Sequence, residues 1–119
     1  QYWPLFRRVD DALVGCCGLH PRRPSEGIAE LGVHLHPDHW HHGYAREACR
    51  VVIGHSFDTL AMRALFAGHH PDNRRSRSLL LTLGFRYTHD EHYAPTGRDH
   101  PSYALTPEAG NEPASGSHP

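Results

Sequence analysis

Between residues 29 and 36 polar and apolar side chains alternate strictly. Leu31, Val33 and Leu35 fall on one side, and Glu30, Gly32, His34 and His36 on the other. A period of two predicts a strand with one greasy and one polar face, and Gly32 inside it predicts a bulge or a close approach by a ligand. From Tyr44 the period lengthens: Ala45, Ala48, Cys49, Val52, Phe57 and Leu60 recur at helical spacing, giving an amphipathic helix to about Leu60. Residues 64–68 form a short apolar strand, and a turn at Pro71, Asp72 and Asn73 leads into a second helix. Asn73 is suited to cap that helix, Ser76, Leu79, Leu80 and Leu83 form its inner face, and Gly84 stands in the usual stop position. Upstream, residues 5–9 and 12–19 read as a hairpin turning at Asp10 and Asp11, followed by a loop over 20–27 rich in Pro and Gly. Residues 85–88 and 102–105 read as final strands joined by a polar loop. The order β-β-β-α-β-α-β-β predicts an α/β mixed sheet with helices packed on it, and the strand–helix–strand unit over 29–68 a crossover.

Composition narrows the partners. The chain has 119 residues, 38% hydrophobic and 21% charged, a formal net charge of −1 and a pI of about 7.0. One folded domain over 1–105 is expected, with a disordered tail over 106–119 rich in Pro, Gly, Ser, Ala and Glu. The charge balance offers no bulk field for nucleic acid or an anionic membrane, so any anion recognition must be local. No apolar run approaches membrane-spanning length and no secretory pattern is visible, so a cytoplasmic location is expected. Cys16, Cys17 and Cys49 make an odd count, and small buried residues are a better account of them than a disulfide framework. The chain opens at Gln1 on what reads as the middle of a structure, so missing N-terminal elements are expected.

Two segments carry candidate chemistry. The run His39, Trp40, His41, His42, Gly43, Tyr44, Ala45 joins strand to helix. The first N–H groups of a helix lack internal partners and carry the positive end of its dipole, so they cradle a pyrophosphate where small residues leave the approach open. Gly43 and Ala45 meet that need, although an ordinary helix start has the same look. The second helix opens with Arg74, Arg75 and Arg77. Cations in a first turn oppose the dipole, and a nearby anion reverses the sign.

With these features in order, residues 29–48 and 73–85 resemble the GNAT superfamily of N-acetyltransferases, specifically its RimJ/RimL-like branch. The resemblance covers most of residues 12–105. It implies the acyl-CoA N-acyltransferase fold, a mostly antiparallel twisted sheet with packed helices, here without the first strand and helices. It implies acetyl-CoA as cosubstrate and a primary amine as acceptor, either a protein N-terminus or a small molecule, and it leaves a homodimer open. By position, Trp40, His41, His42, Gly43, Tyr44 and Ala45 would hold the pyrophosphate. Leu35 and His36 would run beside the pantetheine arm. Asn73 would bond that arm, Ser76 would sit near the thiol, and Arg74, Arg75 or Arg77 would reach the adenosine phosphates. His41 replaces a common Gly, His42 a common Lys, and Leu80 stands in the region where many members carry an acidic Tyr.

Acetyl transfer needs a neutral amine, an oriented thioester, an oxyanion donor and a proton for the leaving thiolate. Glu30 is the candidate base, with a salt-bridged strand carboxylate as its other reading; His34 and His36 share its face. Ser76 is the candidate acid, with an ordinary helix-start serine as its other reading. Backbone N–H groups near 33–35 would polarise the carbonyl if Gly32 marks a bulge. Thirteen histidines raise metal binding as a further reading, but no HExxH or CxxC spacing supports a site, and none is expected. The alternatives to an acetyltransferase are a CoA-binding relic without turnover and, behind it, a His-rich metal-binding domain.

Overall fold

The computed structural model describes residues 1–107; most of the expected tail lies outside them. In chain order the elements are β1 (Tyr2–Phe6), β2 (Leu13–Arg23), β3 (Ile28–Leu35), α1 (Tyr44–Asp58), β4 (Ala64–Gly68), α2 (Arg74–Thr82), β5 (Arg86–Tyr93) and β6 (Arg98–Leu105). They form one six-stranded sheet in the order β1-β2-β3-β4-β6-β5. Among the described residues only β3 and β4 pair in parallel, and α1 makes their crossover. The predicted element order and mixed sheet are the ones observed.

The core lies between the sheet and its helices. Leu31 from β3, Cys49 and Val52 from α1, Leu65 from β4, Leu80 from α2 and Leu105 from β6 are buried together. Cys17 faces Cys49 with the sulfurs 4.0 Å apart, and contact with Cys17 together with burial pushes the Cys49 thiol up. Cys16, one residue along the strand, is only half-buried on the opposite face, as alternation requires.

The first and last strands differ from expectation. The strand expected at 5–9 is Tyr2–Phe6, because residues 7–12 close a turn: Arg7 Nε donates to Asp10 Oδ1 at 3.0 Å, and Ala12 N–H to the same oxygen at 3.1 Å. The Arg7 guanidinium, with the Ala12 N–H, holds the Asp10 carboxyl down to about 2. The loop expected over 20–27 is half strand: β2 runs on to Arg23, and a 3-10 turn over Pro24–Glu26 with Gly27 makes the connection. Pro21 fits within β2 because β1 ends opposite Gly18, so no partner on that side needs its missing N–H. The polar segment between the last two strands is itself a hairpin. Every position of β5 is exposed, so no alternation marked it, while Phe85 is buried at the exit of α2 rather than in a strand.

Candidate active site

Two neighbouring strands part at the centre of the sheet. β3 and β4 pair over Ile28, Ala29 and Glu30 against Ala64, Leu65 and Phe66, and share no ladder beyond. Each keeps its outer partner: β3 stays on β2 as far as Leu35, and β4 stays on β6 as far as Gly68. The gap is therefore held open from both sides rather than frayed. Leu19 N–H donates to Gln1 O at 2.8 Å and His36 N–H to Val14 O at 3.0 Å. Leu19 stands opposite Leu31, so strand alternation turns the backbone N–H groups of Leu31, Val33 and Leu35 away from β2 and toward the gap. The Leu35 carbonyl points the same way and accepts from Trp40 Nε1 at 3.2 Å. The bulge expected at Gly32 is absent, because the register runs unbroken from Cys17 opposite Val33 through Gly18 opposite Gly32. What comes close to Gly32 is Tyr2: a Cβ there would fall 2.2 Å from its hydroxyl oxygen.

A groove of about 700 Å³ runs from the end of β3, past the turn before α1, to the opening of α2. It brings the two sequence motifs together. Leu35, Trp40, His41, Gly43, Tyr44 and Ala45 line it from one side, and Asn73 and Ser76 from the other. Arg46 and Arg75 also line it, whereas His36, His42 and Arg77 do not. His36 instead accepts from Asp38 N–H at 3.2 Å, and His42 stacks on Tyr44 with centroids 5.2 Å apart. Arg77 is exposed.

The mouth of α1 is open. Gly43 precedes the helix with φ 77°, and no side chain among the described residues caps the first turn. A Cβ on Gly43 would meet nothing closer than Arg46 Nη2 at 3.8 Å, so glycine serves the left-handed backbone rather than tight packing. Arg75 lies over the Trp40 ring at 3.9 Å from its centroid, and so reaches the α1 turn from α2. Asn73 caps α2, its Oδ1 accepting from Ser76 N–H at 3.0 Å, which leaves its side-chain NH₂ to donate elsewhere.

His41 also has positive φ, at 70°. A non-glycine residue there carries strain of about 1–2 kcal/mol, partly offset by the greater chain entropy a glycine loses on folding. His41→Gly is therefore expected to raise stability by about 0.5 kcal/mol, read as a higher melting temperature of the unliganded protein.

Deeper in the gap a chamber of about 540 Å³ shares Val33, His34, Asn73, Ser76 and Leu79 with the groove. Glu30 lines it, and its carboxylate also meets Arg22 Nη1 at 3.6 Å. Arg22 in turn donates to Glu91 on β5 at 2.8 Å and lies over Phe66, tying the β5–β6 hairpin to the centre of the sheet. Sequence reasoning did not single out Tyr2 and His69, which line the chamber. Buried His69 donates from Nδ1 to the His70 carbonyl at 2.7 Å, and its Nε2 lies 3.1 Å from the hydroxyl of buried Tyr103. Among the described residues, no three His, Cys, Asp or Glu side chains are grouped so as to hold a metal ion.

Residues 1–86 match the family described as Acetyltransferase (GNAT) domain. The chain is 33% identical over 84 residues to an uncharacterized N-acetyltransferase, YoaA, of Bacillus subtilis, a match covering 71% of this chain and 48% of that protein. The chain thus spans about half the length of such curated relatives. Among solved structures, a GNAT-family acetyltransferase from Bacillus anthracis superposes with a TM-score of 0.80 at 24% identity, covering 90% of this chain and 66% of that one. A ribosomal-protein-S5-alanine acetyltransferase from Vibrio fischeri gives 0.78 at 20% identity, covering 88% and 60%. At these identities the structural likeness shows the fold.

Proposed function

Because the chain belongs to the acetyltransferase (GNAT) domain family, we propose that it binds acetyl-CoA in the groove and presents the thioester to a primary amine in the chamber. The observation that carries this is the uncapped start of α1 opening onto the groove that Arg75 and Asn73 enter from α2. The N–H groups following Gly43 would take the pyrophosphate, with Arg75 and Arg46 as fixed cations beside it. The pantetheine arm would lie along Leu35 and Val33, next to the Asn73 amide. The N–H groups of Val33 and Leu35, directed into the gap, would polarise the thioester carbonyl without a bulge. Glu30 would take a proton from the amine through water, and Ser76 would supply one to the leaving thiolate. The amine would attack directly within a ternary complex.

We assign the chain to the RimJ/RimL-like branch on Trp40 and the two motifs. The Vibrio fischeri neighbour, a ribosomal-protein-S5-alanine acetyltransferase, supports a protein N-terminus as one acceptor class beside small amines. The acetyltransferase domain would occupy residues 1–105 and act in the cytoplasm. The second reading, CoA binding without turnover, is favoured by Leu80, which is buried in the region where many members carry a tyrosine.

Calorimetry with acetyl-CoA is expected to give one site with micromolar affinity or tighter. A protein that is folded by circular dichroism and shows no heat of binding would remove the proposal. Thiol release with a panel of amines then separates an enzyme from a binding relic.

A further inference from the structure

Tyr2, Gly18 and Gly32 lie in one row across three strands, Tyr2 opposite Gly18 and Gly18 opposite Gly32. Neither glycine tolerates a side chain. A Cβ on Gly18 would fall 2.8 Å from Tyr2 Cγ, and one on Gly32 would fall 2.2 Å from Tyr2 Oη. The tyrosine ring therefore lies flat over a floor of two glycines, and its hydroxyl is delivered to β3 where β4 has just departed. Its neighbours on that face are the ring of His34, stacked at 6.1 Å, and the ring of His20, edge-on at 6.2 Å. Glu30 lines the same chamber. Burial first, then the charges of Glu30, Cys16 and Cys17, push the Tyr2 phenol up, so it stays neutral.

The side chains on this face that can accept a hydrogen bond are the Glu30 carboxylate, the imidazole rings of His34 and His20, and the Tyr2 phenol oxygen. The one guanidinium on it, Arg22, is already shared between Glu30 and Glu91. The backbone donors lie instead in the plane of the sheet, in the N–H groups directed into the gap. An acceptor-rich face suits an incoming amine, which brings N–H donors, whereas the in-plane donors suit a carbonyl oxygen.

We propose that the Tyr2 hydroxyl oxygen accepts a hydrogen bond from the acceptor amine and fixes its nitrogen over the gap, with the Gly18–Gly32 floor setting its height. This rests on the proposed function. It adds a residue from the first strand to a site otherwise built from β3, α1 and α2.

Tyr2→Phe tests this directly, since it keeps the ring over Gly18 and removes only the oxygen. With saturating acetyl-CoA the amine KM is expected to rise about tenfold, the effect of one lost hydrogen bond. The calorimetric affinity for acetyl-CoA and the melting temperature should stay at wild-type values. Gly32→Ala, checked for folding by circular dichroism, should reproduce the KM rise by displacing the hydroxyl. If no amine turns over, n-butylamine titrated into the CoA-saturated protein reads the same contact by NMR. The Tyr2 ring signals, identified by their loss in Tyr2→Phe, should shift, and the variant should bind butylamine about tenfold more weakly. An unchanged KM or butylamine affinity in Tyr2→Phe overturns the assignment. So does a fall in kcat with KM intact, which would place the hydroxyl at the leaving group, and so does the absence of butylamine binding to the CoA-loaded wild type. Loss of acetyl-CoA binding by the wild type is a separate result, and sinks the groove instead.

Discussion

Gly43→Val is expected to weaken acetyl-CoA binding by at least a hundredfold in a protein that still folds. Gly43 holds φ at 77°, in the left-handed region, one residue before α1. A β-branched residue there costs about 1–2 kcal/mol or more in backbone strain. Space is not the obstacle, because an added Cβ would meet only Arg46 Nη2, at 3.8 Å. The strain is therefore relieved locally: the turn over residues 40–43 shifts, and the N–H groups that point together into the groove disperse. The isopropyl group also stands where the diphosphate would enter. Gly43 lies at the surface, outside the Leu31, Leu65 and Leu105 core, so the melting temperature should fall only by the strain released. Gly43→Ala should fall between the two, with about a tenfold weakening. Calorimetry on all three proteins checks the series, and a valine variant that binds within about threefold of wild type would refute the place given to this turn.

The elements around that turn were legible because their periods are strong and change abruptly. Leu31, Val33 and Leu35 alternate, and Ala45, Ala48, Cys49 and Val52 recur at helical spacing. Asn73 and Gly84 bracket α2 by chemistry that acts within a few residues. The β5–β6 hairpin was not legible. An edge strand exposed at every position buries nothing, so solvent imposes no pattern on its side chains. Residues 7–12 misled for a different reason: Val9 looked like part of a strand, but it is 83% exposed, and the Arg7–Asp10 pair closes a turn there. The parting of β3 from β4 depends on which strands hold each from outside, and so on β2 and β6, which a linear pattern does not pair. Tyr2 was hidden in the same way. Its place rests on a register that brings Gly18 and Gly32 side by side, and the signal for it in the sequence is a pair of glycines interior to two strands. Gly32 did mark a close approach, but by this chain's own tyrosine.

Arg75→Glu is expected to move affinity and stability independently, and that separation makes it diagnostic. Arg75 is an exposed first-turn residue of α2 and lies 3.9 Å over the Trp40 ring. A cation there opposes the helix dipole, whereas a glutamate favours it, each by about 0.3–1 kcal/mol. Loss of the cation–π contact takes back about 0.5–1 kcal/mol. Net stability should therefore rise by about 0.5 kcal/mol, with no fall in melting temperature. Affinity has no such compensation. At about 6 Å in water, one pair of unit charges is worth about 0.7 kcal/mol. Reversing one charge beside a diphosphate of about two charges changes four such pairs, roughly 2.8 kcal/mol, or about a hundredfold in acetyl-CoA affinity at low salt. Because the site opens to solvent, the deficit should shrink as ionic strength rises to about 0.5 M, where screening reaches within a few ångströms. Arg77→Glu, on the same helix but outside the groove, should show a much smaller loss. Equal losses for the two variants would mean that a general field, rather than a cation placed against Trp40, attracts the cosubstrate. A full-affinity Arg75→Glu would mean that Arg75 does not face an anion in the groove.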